Sequence, residues 1–292
     1  MLIKKILCPV DFSEFSIRAY RHALSLAEHY DADLVAMHVV ELWKYPYADY
    51  AASSGDYANF RQALDKGGKE KLREFVKKYS HEKIKPELAI CEGRAPDSIL
   101  AFAKEQKVDG IVMGTHGRRG FDRLMLGSAT DRVIREASCP VIVVCKPTRE
   151  AMAHEHHVHH LHRVLLCTDF SENAERALEY AISVTEEYDA ELTLLHVVED
   201  VQSSVRQEQA MAKAAKQLDT LIPAEKRKTL KVQTAVRTGK PYQRIIEYAE
   251  EASPDLIAMG ARGAGALDRA IFGSTTYRVI QLGPCPVLAV HV

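Results

Sequence analysis

The chain alternates short, mostly apolar runs with longer stretches in which apolar positions recur every three or four residues. In the first half these runs lie near 3–8, 33–39, 87–91, 108–113 and 141–145, and they are rich in Val, Ile and Leu. Such runs predict strands buried on both faces. Between them, Tyr20, Leu24, Ala27 and Tyr30 share one helical face, as do Leu72, Phe75, Val76 and Tyr79. Ser13 and Ser171 stand where a helix following the first strand would need its N-cap. Strand–helix alternation predicts an α/β protein of parallel βαβ units with right-handed crossovers. Ligands of such doubly wound sheets sit beyond the carboxyl ends of the strands, where strand order reverses. The first strand is expected to end at Asp11 and the fourth at Gly114, so the loops after them are the place to look.

The pattern occurs twice. ILCPVDFS at 6–13 matches VLLCTDFS at 164–171, and DLVAMHVVE at 33–41 matches ELTLLHVVE at 191–199. GRAPD at 93–97 pairs more weakly with GKPYQ at 239–243. GSATDRVIREASCPVIVV at 127–144 matches GSTTYRVIQLGPCPVLAV at 273–290. The 292 residues therefore divide into two tandem five-stranded domains, 1–148 and 162–292, joined by 149–161. The first copy is longer between His38 and Gly93. The aromatic segment WKYPYADYAASSGDYANF at 43–60 is the expected insertion, either an ordered flap or partner patch or a simple surface loop.

The most informative stretch is GTHGRRGFDRLMLGS at 114–128, which returns as GARGAGALDRAIFGS at 260–274. Both read Gly, two residues, Gly, nine residues, Gly-Ser. Gly114 and Gly117 are expected to adopt backbone angles closed to other residues and to admit a ligand close to the main chain. A helix is expected to begin at Gly127-Ser128, because Ala129, Val133, Ile134 and Ala137 follow at helical spacing. Its N-terminal amides and dipole suit an anion, with Ser128 adding a hydroxyl and Arg118 and Arg119 adding charge. The second copy offers Gly260, Gly263, Gly273, Ser274 and Thr275, with Arg262 nearby. Turn-making alone explains one such loop; two at fixed spacing favour phosphate binding. Neither loop is a Walker A sequence or a Gly-x-Gly-x-x-Gly fingerprint. Asp11 and Asp169 can accept from a ribose hydroxyl or an adenine amino group, help hold a metal, or serve as an N-terminal helix cap. His38 and His196 are read as packed, hydrogen-bonded strand residues. His116 lies in the loop, but Arg262 replaces it in the second copy, which argues against a shared catalytic histidine.

Composition adds limits. Thirty-nine basic and forty acidic residues leave a net charge of −1, so no global basic field draws nucleic acid or an anionic membrane. The apolar runs are too short to span a bilayer, and the N-terminal residues lack the pattern of a secretory signal, so a cytoplasmic location is expected. The six cysteines form no C-x-x-C pair and are expected to be reduced and mostly buried. Six histidines crowd the join, His154, His156, His157, His159, His160 and His162. His156 and His160 share a face of a helix; His154 and His156 share one of an extended chain. Imidazole suits zinc, nickel or copper, so the tract is either a solvated linker or a zinc site.

Taken together, the glycine motif after the fourth strand, Asp-Phe-Ser after the first and His-Val-Val in the second resemble the universal stress protein family over nearly the whole chain. The resemblance implies sheet order 3-2-1-4-5 in each domain and ATP binding, with ADP or AMP as alternatives and Mg2+ as companion. It implies contacts to adenosine from Pro9, Val10, Asp11, Val39 and Met113, and to phosphate from Gly114, Gly117, Gly127, Ser128 and Ala129. In the second domain the equivalents are Cys167, Thr168, Asp169, Val197 and Met259, then Gly260, Gly263, Gly273, Ser274 and Thr275. Cys167 standing in place of Pro9 makes the two entry loops unequal. The apolar last strands, 141–145 and 287–291, are expected to pair as an intrachain pseudo-twofold dimer. A homodimer of the whole chain and an unidentified protein partner are compatible with the resemblance. The expected function is a nucleotide-dependent stress-response sensor or regulator. No Walker lysine, no repeated base beside the phosphate loop and no triad signature is read to support fast catalysis, and weak hydrolysis with Asp11 or Asp169 holding magnesium stays open. A slow ATPase or phosphotransfer enzyme, and a metal-responsive scaffold, are the alternatives.

Overall fold

The computed structural model describes residues 3–44, 57–80, 83–116, 126–144, 160–199, 204–262 and 273–291. Two compact units emerge, the first holding 3–116 and 127–144 of these residues and the second 126 and 160–291. In the first unit the order is β1 (Lys5–Pro9), α1 (Glu14–Tyr30), β2 (Asp33–Val40), α2 (Tyr57–Tyr79), β3 (Glu87–Glu92), α3 (Ala95–Glu105), β4 (Gly110–Gly114), α4 (Ser128–Glu136) and β5 (Val141–Val144). The strands lie in the order β3-β2-β1-β4-β5 and every pair is parallel.

The second unit repeats this with β6 (Arg163–Cys167), α5 (Glu172–Tyr188), β7 (Glu191–Val198), α6 (Ser204–Leu221), the short α7 (Ala224–Arg227), β8 (Lys231–Thr238), α8 (Pro241–Ala252), β9 (Leu256–Gly260), α9 (Ser274–Leu282) and β10 (Val287–Val290). Its order is β8-β7-β6-β9-β10, again parallel. The doubly wound order 3-2-1-4-5 thus holds in both units. Among the described residues no helix is long and apolar enough to cross a membrane.

The central strands are buried on both faces, as their apolar runs predict. Ile6, Leu7 and Cys8, Val35 to Met37, and Ile111 and Val112 are all buried, as are Leu165, Leu166, Ile257 and Ala258. The helical stripe of α1 is buried through Tyr20, Leu24 and Ala27, while Tyr30 is partly exposed. Ser13 caps α1 by accepting from Ser16 N, and Ser171 caps α5 by accepting from Ala174 N. The same aspartate clamps the first strand in each unit. Asp109 Oδ2 accepts from Lys4 N and Lys5 N at 2.8 and 2.9 Å, and Asp255 Oδ2 accepts from His162 N and Arg163 N at the same distances.

Gly93 and Gly239 occupy equivalent turns. Each donates its N–H to the end of the second strand, to Val40 O and Val198 O, and each has positive φ, 138° and 127°. The weak GRAPD–GKPYQ match is therefore a structural correspondence. The extra length of the first unit falls almost wholly before α2. Trp43, just after β2, is half exposed, and 45–56 lie outside the described residues.

Helix α2 contains Gly67 and Gly68 near its middle. A Cβ on Gly68 would stand 3.3 Å from Val40 Cγ2, so this glycine lets the helix approach β2 closely. A Cβ on Gly67 would meet nothing within 4 Å. Gly67→Ala is therefore expected to stabilise the first unit by about 1 kcal/mol, the helix-propensity difference, without changing any contact. Chemical denaturation checks this; an unchanged or lowered unfolding free energy would show that the position is constrained in some other way.

Candidate functional site

Pairing of β1 with both β2 and β4 gathers the carboxyl ends of three strands at the point where strand order reverses. Pro9, Val10 and Asp11 leave β1 there, beside Val39 of β2 and Met113 and Gly114 of β4. In the second unit β6 does the same with β7 and β9, bringing together Cys167, Thr168, Asp169, Val197, Met259 and Gly260. Val10, Met113, Cys167, Thr168 and Met259 are buried, whereas Asp11, Val39 and Val197 are partly exposed and Asp169 is exposed.

The strand ends earlier than the sequence suggested, at Pro9 rather than Asp11. The reason is a side-chain turn. Asp11 Oδ1 accepts from Ser13 N at 3.0 Å and Ser13 Oγ at 2.6 Å, and Asp169 Oδ1 accepts from Ser171 N and Oγ at 3.1 and 2.6 Å. The carboxylate thus orients the serine that caps the helix, and the cap is that serine rather than the aspartate itself. Thr168 adds an acceptor for Phe170 N at 3.0 Å, a bond Val10 cannot offer in the first unit.

The glycines divide into two roles. Gly114 was expected to free the backbone for a ligand, but its φ is not positive. A Cβ there would lie 2.7 Å from Phe15 Cβ and 2.9 Å from the Phe15 carbonyl carbon and oxygen. At Gly260 it would lie 2.8 Å from Asn173 Cβ and 2.9 Å from Asn173 C. These two glycines let the end of the fourth strand press against the first turn of α1 or α5. The empty space is taken by the protein's own helix.

Gly127 and Gly273 play the other role. Both are N-caps in extended conformation, with φ and ψ of −60° and 137° and of −61° and 124°, and neither gives its helix a side-chain cap. Gly127 N donates to Thr115 O at 2.8 Å and Gly273 N to Ala261 O at 3.1 Å. Thr130 and Thr276, both buried, donate their hydroxyls to Gly114 O and Gly260 O at 2.8 Å. These bonds bring the start of α4 to the end of β4 and the start of α9 to the end of β9. The threonines were missed in the sequence, although GSAT and GSTT repeat them at one spacing. Ser128 and Ser274 are exposed at the first helical position, with Ala129 and Thr275 partly exposed behind them.

Residue 116 and its equivalent differ in chemistry. His116 Nδ1 lies 3.0 Å from Thr115 Oγ1, its ring is 5.2 Å from that of Phe15, and Nε2 is buried without a hydrogen-bond partner. Arg262 is half buried, with Nε also unpartnered. Burial, and secondarily the charge of Arg262, lowers the pKa of His291, which follows β10. Gly117, Arg118, Arg119 and Gly263 lie outside the described residues.

The histidine tract lies mostly outside them as well, including His154, His156, His157 and His159. His160 and His162 are exposed, their ring centroids 6.2 Å apart. Among the described residues no group of three or more His, Cys, Asp or Glu is placed to hold a metal ion. Cys8, Cys91, Cys139, Cys167 and Cys285 are free thiols. Burial pushes Cys8 and Cys167 far above the ordinary thiol range and Cys139 up to about 12.

The profile of the universal stress protein family matches residues 2–145 and again 160–291. A universal stress protein of Methanocaldococcus jannaschii is 38% identical over 149 residues, which is 51% of this chain and 86% of its own. One from Mycolicibacterium smegmatis is 26% identical over 298 residues, 98% of this chain and 96% of its own. The crystal structure of a universal stress protein from Archaeoglobus fulgidus superimposes with a TM-score of 0.70 at 25% identity, covering 98% of this chain and 96% of that one. Two profile matches over two copies of one parallel sheet have a single explanation: the chain belongs to the universal stress protein family and carries two of its domains in tandem.

Proposed function

We propose that each half binds one adenosine nucleotide, ATP with ADP or AMP as alternatives, and that the protein is a nucleotide-occupied regulator rather than a fast enzyme. The observation that carries this reading is the repeated uncapped helix start. Helices α1 and α5 have serine caps, whereas α4 and α9 begin on glycine beside the carboxyl ends of the central strands. An anion there would take the place of the missing cap and meet the positive end of the helix dipole. In this reading phosphate meets Ser128 and Ala129, or Ser274 and Thr275, and the sugar and base lie toward Asp11 and Val39, or Asp169 and Val197. Magnesium accompanies the phosphates, with Asp11 and Asp169 as the nearby carboxylates, although Oδ1 of each serves the loop.

The two loops place different groups, His116 and Arg262, at one equivalent position. A general base at that position is therefore not common to both sites, which favours regulation over turnover. The histidine tract is read as a solvated connector. Denaturing the purified protein and counting what it releases tests these points together. About two nucleotides and no stoichiometric zinc per chain are expected. No nucleotide, followed by no binding of added ATP with magnesium, would remove the reading, and one firmly held zinc would reassign the tract.

A further inference from the structure

In each half a histidine of the second strand holds the carbonyl of a residue leaving the first. His38 Nδ1 lies 2.7 Å from Val10 O, and His196 Nδ1 lies 2.8 Å from Thr168 O. A carbonyl oxygen only accepts, so Nδ1 carries the proton in both rings. The N–H groups of the same residues are also tied to neighbouring strands, Val10 to Met37 O at 2.7 Å and Thr168 to Leu195 O at 3.0 Å. Both polar groups of Val10 and of Thr168 are thereby fixed.

A trans peptide carries its C=O and the following N–H in opposite directions, and the described chain contains no cis peptide. Drawing Val10 O toward His38 therefore turns the Asp11 amide away from that imidazole, and His196 does the same to Asp169. The next residue is strained in both copies. Phe12 and Phe170 have φ of 67° and 61°, a left-handed conformation uncommon for bulky side chains. Glycine would adopt it freely, but glycine has no ring. Each phenylalanine ring lies 4.6 Å from the imidazole, centroid to centroid, and covers the histidine that holds the loop.

We propose that His38 and His196 are positioning residues for adenosine recognition, acting through the Val10 and Thr168 carbonyls on the main chain at Asp11 and Asp169. The inference rests on the nucleotide reading above. It adds a division of labour: the phosphate end depends on the starts of α4 and α9, which other bonds hold, so the histidines govern the nucleoside and not the phosphates.

The test uses the full chain with adenosine and inorganic tripolyphosphate as separate calorimetric probes. His38→Leu with His196→Leu is expected to weaken adenosine binding about tenfold, the effect of losing one ordering hydrogen bond per site, and to leave tripolyphosphate binding unchanged. His38→Asn with His196→Asn, which keeps an N–H donor near the Nδ1 position, should recover most of the loss. Imidazole 15N shifts of the unaltered protein should show the Nδ1–H tautomer at both residues. Unchanged adenosine affinity in the leucine protein, an asparagine protein no better than the leucine one at equal melting temperature, or the Nε2–H tautomer would overturn the proposal. If the leucine protein fails to fold, the asparagine protein and the tautomer decide. An unaltered protein that binds tripolyphosphate but not adenosine would instead defeat the nucleotide reading, and this inference with it.

Discussion

Replacing Gly127 and Gly273 by aspartate is expected to raise the melting temperature of the protein and, in the same molecule, to remove most of its affinity for ATP. Both glycines sit at N-caps in extended geometry, the conformation in which aspartate caps well. The new carboxylate would accept from the first-turn amides of α4 and α9. A good cap contributes about 1 kcal/mol, which for domains of this size is about 3 °C each. The same carboxylate would take the amides a phosphate needs and repel it. Loss of two charge-assisted hydrogen bonds at about 1.5 kcal/mol each corresponds to a weakening of roughly a hundredfold. Scanning calorimetry and ATP titration on one preparation read both effects. A stabilised protein that still binds ATP normally would mean that phosphate lies elsewhere.

Gly114→Ala and Gly260→Ala are expected to act in the opposite sense, lowering stability whether or not nucleotide is present. The added methyl would meet backbone atoms of Phe15 or Asn173 at 2.9 Å, and neither helix turn can yield without dragging its cap with it. Overpacking of this kind costs about 1–3 kcal/mol per site, a fall of about 3–9 °C in melting temperature. Urea denaturation measures it directly. If the variants keep wild-type stability and lose only nucleotide, these glycines serve ligand approach after all.

These paired expectations show where the sequence was legible. Apolar runs near 33–39 and 108–113 predicted β2 and β4 within two residues, because both strands are largely buried on both faces. The start of α4 was equally plain, since Val133 and Ile134 at helical spacing follow a Gly-Ser pair. The role of Gly114 was not legible. A glycine reports that a side chain would not fit and is silent on what fills the space, and here the filler is a helix turn some hundred positions earlier in the chain. The end of β1 was misplaced for a related reason. The first strand was expected to reach Asp11, but that side chain turns back on Ser13 and the strand closes at Pro9. His38 and His196 could be read as hydrogen-bonded strand residues, yet their carbonyl partners lie 28 positions upstream, a separation that only the pairing of β1 with β2 and of β6 with β7 explains.

Helices that begin on glycine also have a consequence for motion. The first turns of α4 and α9 lack the serine caps of α1 and α5 and are held to the ends of β4 and β9 through Thr130 and Thr276, so an anion at their free amides would add to what keeps them closed. An anion seated there would slow local fraying and protect those amides from exchange with solvent while the sheet beneath remained as it was. Occupancy would then be written into the protein as a change in how often two short helices open, a signal that a partner sensitive to local order can read without any change of shape.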